Sequence, residues 1–166
     1  MVNSNYVYEG IKKAGINFIV SLPCINLNKL LTLVDEDKKI THMPVTREEE
    51  GIGICAGAYL AGKKVAILMQ NSGLGNSVNG LTSLTELYKF PLVMIISHRG
   101  TEGEPIVGQV PMGIATPKIL DSINIQHFNP CSTEECLDIV SNSWEKSLEN
   151  ELPVAILLEI SYWTCK

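Results

Sequence analysis

Six short apolar runs, at residues 17–22, 40–45, 64–70, 92–97, 125–128 and 153–160, alternate with segments whose hydrophobic residues recur at helical spacing. A strand that returns to its sheet through a helix enters from the same end each time, so successive strands pair in parallel and the helices cover the sheet. The pattern therefore predicts an α/β fold: a single domain over residues 1–166, with a mostly parallel sheet and helices on both faces. Ser4 or Asn5 is placed to cap a first helix that Gly15 ends, and Leu27, Leu30, Leu31 and Val34 keep the spacing of a second. Further helices are expected at 46–62, 77–88, 116–123 (with Pro117 in the first turn) and 133–149, and a long loop at 98–113. There is no internal repeat, low-complexity tract or linker.

The composition removes several classes of function. With 45% hydrophobic and 19% charged residues the chain can close a core, and its net charge of −5 argues against a general nucleic-acid or anionic-membrane partner. The apolar runs are too short to span a bilayer. The start of the chain lacks the basic and then apolar pattern of a signal peptide, so a cytoplasmic protein is expected. Cys24, Cys55, Cys131, Cys136 and Cys165 include no Cys-x-x-Cys pair and no zinc-like spacing with His, which predicts reduced thiols and no metal site.

Two segments stand out. Asn71-Ser72-Gly73-Leu74-Gly75-Asn76 follows an apolar run and precedes a helical pattern. It reads as a glycine-rich turn at the carboxyl end of a strand, where open α/β sheets bind ligands. A phosphate-binding P-loop would need a following Lys, and a dinucleotide fingerprint would need a third glycine where Val78 stands. The turn is thus either purely structural or serves another ligand.

The second segment, Thr46-Arg47-Glu48-Glu49-Glu50, opens a helix. Thr46 and Glu49 have the spacing of a capping box, and Glu48 and Glu50 complement the positive end of the helix dipole. Gly53, Gly57 and Ala61 then form a stripe of small residues on one helix face, suited either to packing on the sheet or to close contact with another chain.

Taken together these segments resemble the pyrimidine-binding domain of thiamine-diphosphate-dependent decarboxylases. The resemblance runs through Pro44-Val45-Thr46-Arg47-Glu48-Glu49-Glu50-Gly51, Ala58-Tyr59-Leu60-Ala61-Gly62, Gln70 to Asn76, Ile96-Ser97-His98-Arg99-Gly100, Gly103-Glu104-Pro105 and Gly108-Gln109-Val110-Pro111-Met112-Gly113, and covers essentially the whole chain. It looks most like the alpha subunits of sulfopyruvate decarboxylases, with phosphonopyruvate decarboxylases as near relatives.

The resemblance implies a set of roles. Glu48, nine residues before Gly57, is the catalytic carboxylate. It would hydrogen-bond N1′ of the aminopyrimidine and favour the imino tautomer that deprotonates the thiazolium. Pro23, Asn71, Ser72, Gly73 and Asn76 would flank the cofactor with Glu48. Ser21 and Cys24 stand where the family turn around Pro23 has glycines. His98, Arg99 and Gln109 would receive the acidic tail of a small 2-oxo acid. The Gly-Asp-Gly and Asn-Asn elements that hold Mg²⁺ and the diphosphate are absent, so both are expected on a separate beta subunit. The implied reaction takes 3-sulfopyruvate to sulfoacetaldehyde and CO₂, in coenzyme M biosynthesis. The rival readings are a subunit acting on phosphonopyruvate or another 2-oxo acid, a non-enzymatic nucleotide-binding α/β module, and a purely regulatory or assembly subunit.

Overall fold

A computed structural model describes residues 3–164. Its strands are β1 Phe18–Ser21, β2 Thr41–Pro44, β3 Val65–Gln70, β4 Val93–His98, β5 Gln126–Phe128 and β6 Val154–Glu159. Its helices are α1 Asn3–Lys13, α2 Asn28–Glu36, α3 Glu48–Leu60, α4 Asn71–Gly80, α5 Val110–Ser122, α6 Thr133–Asn150 and α7 Ile160–Thr164. The strands form one sheet in the order β2-β1-β3-β4-β6-β5, with every pair parallel. Each apolar run of the sequence supplies one strand.

Burial follows strand position. β3, β4 and β6 lie inside the sheet and are buried almost throughout, because helices cover both of their faces. β2 lies on the edge and is mostly exposed, which is why it tolerates Pro44. Right-handed crossovers place α3, α4 and α5 on one face and α1, α2 and α6 on the other, and the packing of α3 on α4, α4 on α5, α1 on α2 and α1 on α6 agrees. The sheet order reverses between β1 and β3, so their carboxyl ends open a crevice at a topological switch point.

Four local expectations are corrected. Residues 71–76 are not a turn: α4 begins at Asn71 and continues as a π-helix, Leu81–Glu86. The long loop is shorter than expected, because a 3₁₀ turn at Val107–Gln109 leads directly into α5 at Val110. Pro111 occupies the first turn of α5 and Pro117 lies inside it. The capping box at Thr46 does not form: Arg47 is the N-cap, without a side-chain cap, and Thr46 Oγ1 donates to Glu50 Oε2 at 3.1 Å. A side-chain cap appears instead on α6, where Ser132 Oγ accepts from Glu135 N at 3.1 Å. The last run, expected to stay extended through Ile160, turns into α7 at that residue.

Among the described residues Cys24, Cys55 and Cys136 are buried, Cys131 is exposed, and none is in a disulfide; Cys165 lies outside them. Burial pushes the Cys55 thiol up to about 12 and the Cys136 thiol up to about 11. No helix among the described residues is long and apolar enough to cross a membrane.

Candidate functional site

The carboxyl ends of β1, β3 and β4 gather most of the residues singled out in the sequence. Glu48 reaches this end because α3 starts just after edge strand β2 and lies tightly on the sheet. A Cβ on Gly51 would sit 2.8 Å from Ile67 Cδ1 and 2.9 Å from Val20 Cγ1, so only glycine lets the helix come so near. The first turn of α3 then divides its three acids. Glu49 pairs with Arg47 at 2.5 Å, and its own backbone amide, followed by Arg47, holds its carboxyl below the usual range. Glu50 takes the Thr46 hydroxyl. Glu48 turns inward and is only 8% exposed.

The Glu48 carboxylate is cradled by α4. Its Oε2 accepts from Asn76 Nδ2 at 3.1 Å. A Cβ on Gly73 would lie 2.3 Å from Glu48 Cγ and 2.5 Å from Cδ and Oε1, so the carboxylate occupies the space that any other residue at 73 would fill. Glu48, Gly73 and Asn76 therefore form one unit. Its donor set is a buried carboxylate with one oxygen held by an amide and the other available, which fits a heteroaromatic ring nitrogen that carries or shares a proton.

Other predicted residues have different duties. Asn71 is fully buried and its amide is spent inside the fold: Nδ2 donates to Arg99 O and Thr116 Oγ1, both at 3.0 Å, and Oδ1 accepts from Arg99 N at 3.1 Å. It clamps β4 to α4 and α5, and both of its N–H donors are used there. Ser72 is exposed and accepts from Gln70 Nε2 at 3.0 Å. Pro23 ends β1 and lines, with Cys24, Ile25, Asn28 and Leu31, a cavity of about 250 Å³.

His98 and Arg99 both have partners within the fold. Pro117 has no N–H, so the carbonyl of Gly113, four residues earlier, lacks its helical donor. His98 Nε2 takes that place at 3.0 Å, while its Nδ1 is buried and without a partner. Arg99 closes a bidentate fork on Glu104, Nε to Oε2 and Nη2 to Oε1, both at 2.6 Å. The two side chains are 9% and 1% exposed. Glu104 also accepts from Gly100 N at 3.0 Å and Ile106 N at 3.1 Å, and the Arg99 guanidinium first of all holds its carboxyl at about 2. The segment is locked further by a backbone crossing: Gly100 has φ +81°, and a Cβ there would sit 2.2 Å from Gln109 O.

Gln109 is brought to the site by this folding. Its Oε1 accepts from Gln70 Nε2 at 3.2 Å, and Cys24 Sγ approaches Gln70 Oε1 at 3.7 Å. Asn26 Nδ2 donates to Ser97 Oγ at 3.2 Å beside them. Gln70, Asn26 and Glu104 were not assigned roles from sequence. Glu104 had a signal, an acid five residues after a loop arginine, whereas Asn26 had none. His42, read as structural, bridges Ser21 Oγ at 2.8 Å and Asp35 Oδ1 at 2.5 Å; Ser21 is 1% exposed, which closes it to any substrate. No group of three or more His, Cys, Asp or Glu suited to a metal ion occurs among the described residues.

The small-residue stripe of Gly53, Gly57 and Ala61 is exposed along its length, and Gly51 lies outside it. Gly51 packs on the sheet, but Gly53 and Gly57 are exposed with nothing within 4 Å of a Cβ. Leu60, on the same helix, is 71% exposed.

Residues 1–124 match the family described as thiamine pyrophosphate enzyme, N-terminal TPP binding domain. The sulfopyruvate decarboxylase subunit alpha of Methanothermobacter thermautotrophicus is 55% identical over 161 residues, which are 97% of this chain and 98% of that one. Its counterpart in Methanococcus maripaludis is 50% identical over 160 residues, 96% of each chain. A phosphonopyruvate decarboxylase of Streptomyces viridochromogenes is 32% identical over 160 residues, 95% of this chain but 40% of the relative. Among solved structures, benzoylformate decarboxylase from Polynucleobacter necessarius superposes with a TM-score of 0.72 at 18% identity, covering 99% of this chain and 31% of that one, a likeness of fold.

Proposed function

We infer the function from family membership: the chain belongs to the thiamine pyrophosphate enzymes, through their N-terminal TPP binding domain. It acts as the alpha subunit of a carboxy-lyase that converts 3-sulfopyruvate to sulfoacetaldehyde and CO₂, in the biosynthesis of coenzyme M. When bound, thiamine diphosphate supplies the electron sink that loss of CO₂ from a 2-oxo acid requires.

The observation that carries the site assignment is the fit of Glu48 over Gly73, with Asn76 on one carboxylate oxygen. Glu48 is the acid–base group that holds or releases a proton at a ring nitrogen of the pyrimidine half. Asn76 fixes the carboxylate so that its second oxygen meets that nitrogen. Gly73 keeps the approach open, and Pro23 and Ser72 border it. The diphosphate and Mg²⁺ are held by a separate beta subunit, and the whole of residues 1–166 serves as the pyrimidine-binding half of a split enzyme.

The test is CO₂ release from sulfopyruvate by the chain co-expressed with its beta partner, with thiamine diphosphate and Mg²⁺. In an intact complex Glu48→Gln is expected to lower kcat at least about 100-fold. An active Glu48→Gln complex would return Glu48 to a helix-dipole role. Turnover of phosphonopyruvate alone would keep the chemistry and change the substrate.

A further inference from the structure

We infer that the acidic tail of the substrate is read by uncharged amides, chiefly Gln109, and not by the guanidinium of Arg99; this rests on the decarboxylase reading above. The cationic candidate in the loop is already satisfied. Both donors of the Arg99 fork end on Glu104 at 2.6 Å, the Glu104 side chain is 1% exposed, and two backbone amides complete its shell. The pair carries no net charge. His98 presents no accessible nitrogen: Nε2 serves Gly113 O, and Nδ1, though without a partner, is buried.

Gln109 remains. Its Oε1 accepts from Gln70 Nε2, which sets the amide orientation. Its own Nε2 then has two N–H donors that meet no acceptor among the described residues. The orientation of Gln70 is fixed in turn by Cys24 Sγ on Oε1 and by Ser72 Oγ on Nε2. The hydrogen-bonded cluster thus offers N–H donors without an uncompensated positive charge. It stands beside the Glu48 unit, because Gln70 adjoins the first turn of α4 whose Gly73 and Asn76 hold Glu48.

Such a site selects by charge. A sulfonate is a monoanion at every physiological pH. A phosphonate, like a phosphate ester with its second ionisation at about 6, becomes a dianion near neutrality. The cost of desolvating an ion grows as the square of its charge, so a dianion costs about four times as much, and neutral amides do not offset that. The geometry favours a sulfonate tail and admits a phosphonate best when it is singly ionised.

The experiment is steady-state decarboxylation of both acids by the alpha–beta complex, from about pH 5.5 to 8, spanning that ionisation. In the wild type, kcat/KM for phosphonopyruvate should fall as pH rises through the second ionisation, with no matching fall for sulfopyruvate. Gln109→Ala should raise the sulfopyruvate KM about tenfold and leave kcat within about twofold, the size expected for one hydrogen bond to a charged group. Gln109→Arg should shift preference toward phosphonopyruvate. Thermal melts of each complex confirm that the variants are folded. An unchanged sulfopyruvate KM in a folded Gln109→Ala complex overturns the inference while leaving the decarboxylase reading intact. Failure of the wild-type complex to release CO₂ from either acid removes the reading and the inference with it.

Discussion

Gly73→Ala is the sharpest probe of how Glu48 is held. The added methyl would stand 2.3 Å from Glu48 Cγ, where non-bonded carbons settle at about 3.5–4.0 Å, so the side chain must retreat by more than about 1 Å. Glu48 is 8% exposed and cannot simply swing into solvent, and moving it breaks the 3.1 Å bond from Asn76. Overpacking of this kind costs about 1–3 kcal/mol. In a chain of 166 residues that is a fall in Tm of roughly 2–12 °C. The effect on turnover should be larger, because a displacement of about 1 Å at a reacting group costs on the order of 100-fold in rate. The assay is kcat for sulfopyruvate and the melting curve of the same alpha–beta complex, with Glu48→Gln alongside. Equal losses in both variants would place the carboxylate position at the centre of the effect. Wild-type kcat and an unshifted Tm in Gly73→Ala would refute the packing argument.

Other outcomes follow from the same geometry. Glu104→Gln should flatten acid sensitivity: the carboxyl of Glu104 is depressed to about 2 from an ordinary 4.5, so its contribution is full above 4.5 and lost as pH falls toward 2. That contribution is at most about 3 kcal/mol, measurable by urea unfolding across this window. Gly100→Ala combines a left-handed backbone with a contact of 2.2 Å to Gln109 O and should lower the urea midpoint more than any other glycine variant in the loop. Gly57→Ala meets nothing within 4 Å, and removing a mid-helix glycine should stabilise the fold of the chain by about 0.5–1 kcal/mol. If another chain covers that face, the same change should weaken the complex, which a sedimentation titration with the beta subunit reads directly.

The fold was largely legible because parallel strands buried on both faces must be continuous apolar runs, as β3, β4 and β6 are, whereas the edge strands β2 and β5 are more polar and more exposed. Helix starts were less so. The residues 71–76 looked like a turn because they are rich in glycine and asparagine, yet they are helical: the glycine at 73 serves the neighbouring carboxylate and not its own φ. Thr46 and Glu49 had capping-box spacing, but Arg47 and Glu50 compete for them. Glu48 could be picked out and its burial could not, since that depends on α4. Arg99 and His98 were legible as chemistry but their partners were not, because Glu104 and Gly113 lie across a fold that only the three-dimensional structure closes.

Pro117 has a consequence for the order in which the chain assembles. In a free α5 segment the Gly113 carbonyl would have water and no helical donor, and in the folded chain His98 on β4 takes that place. The Asn71 clamp likewise needs α4, β4 and Thr116 of α5 together. The amino-terminal half of α5 therefore gains its stability only after the central strands have paired. Hydrogen exchange should find its amides closing with the sheet, late and all at once, and the amide that presents Gln109 among them.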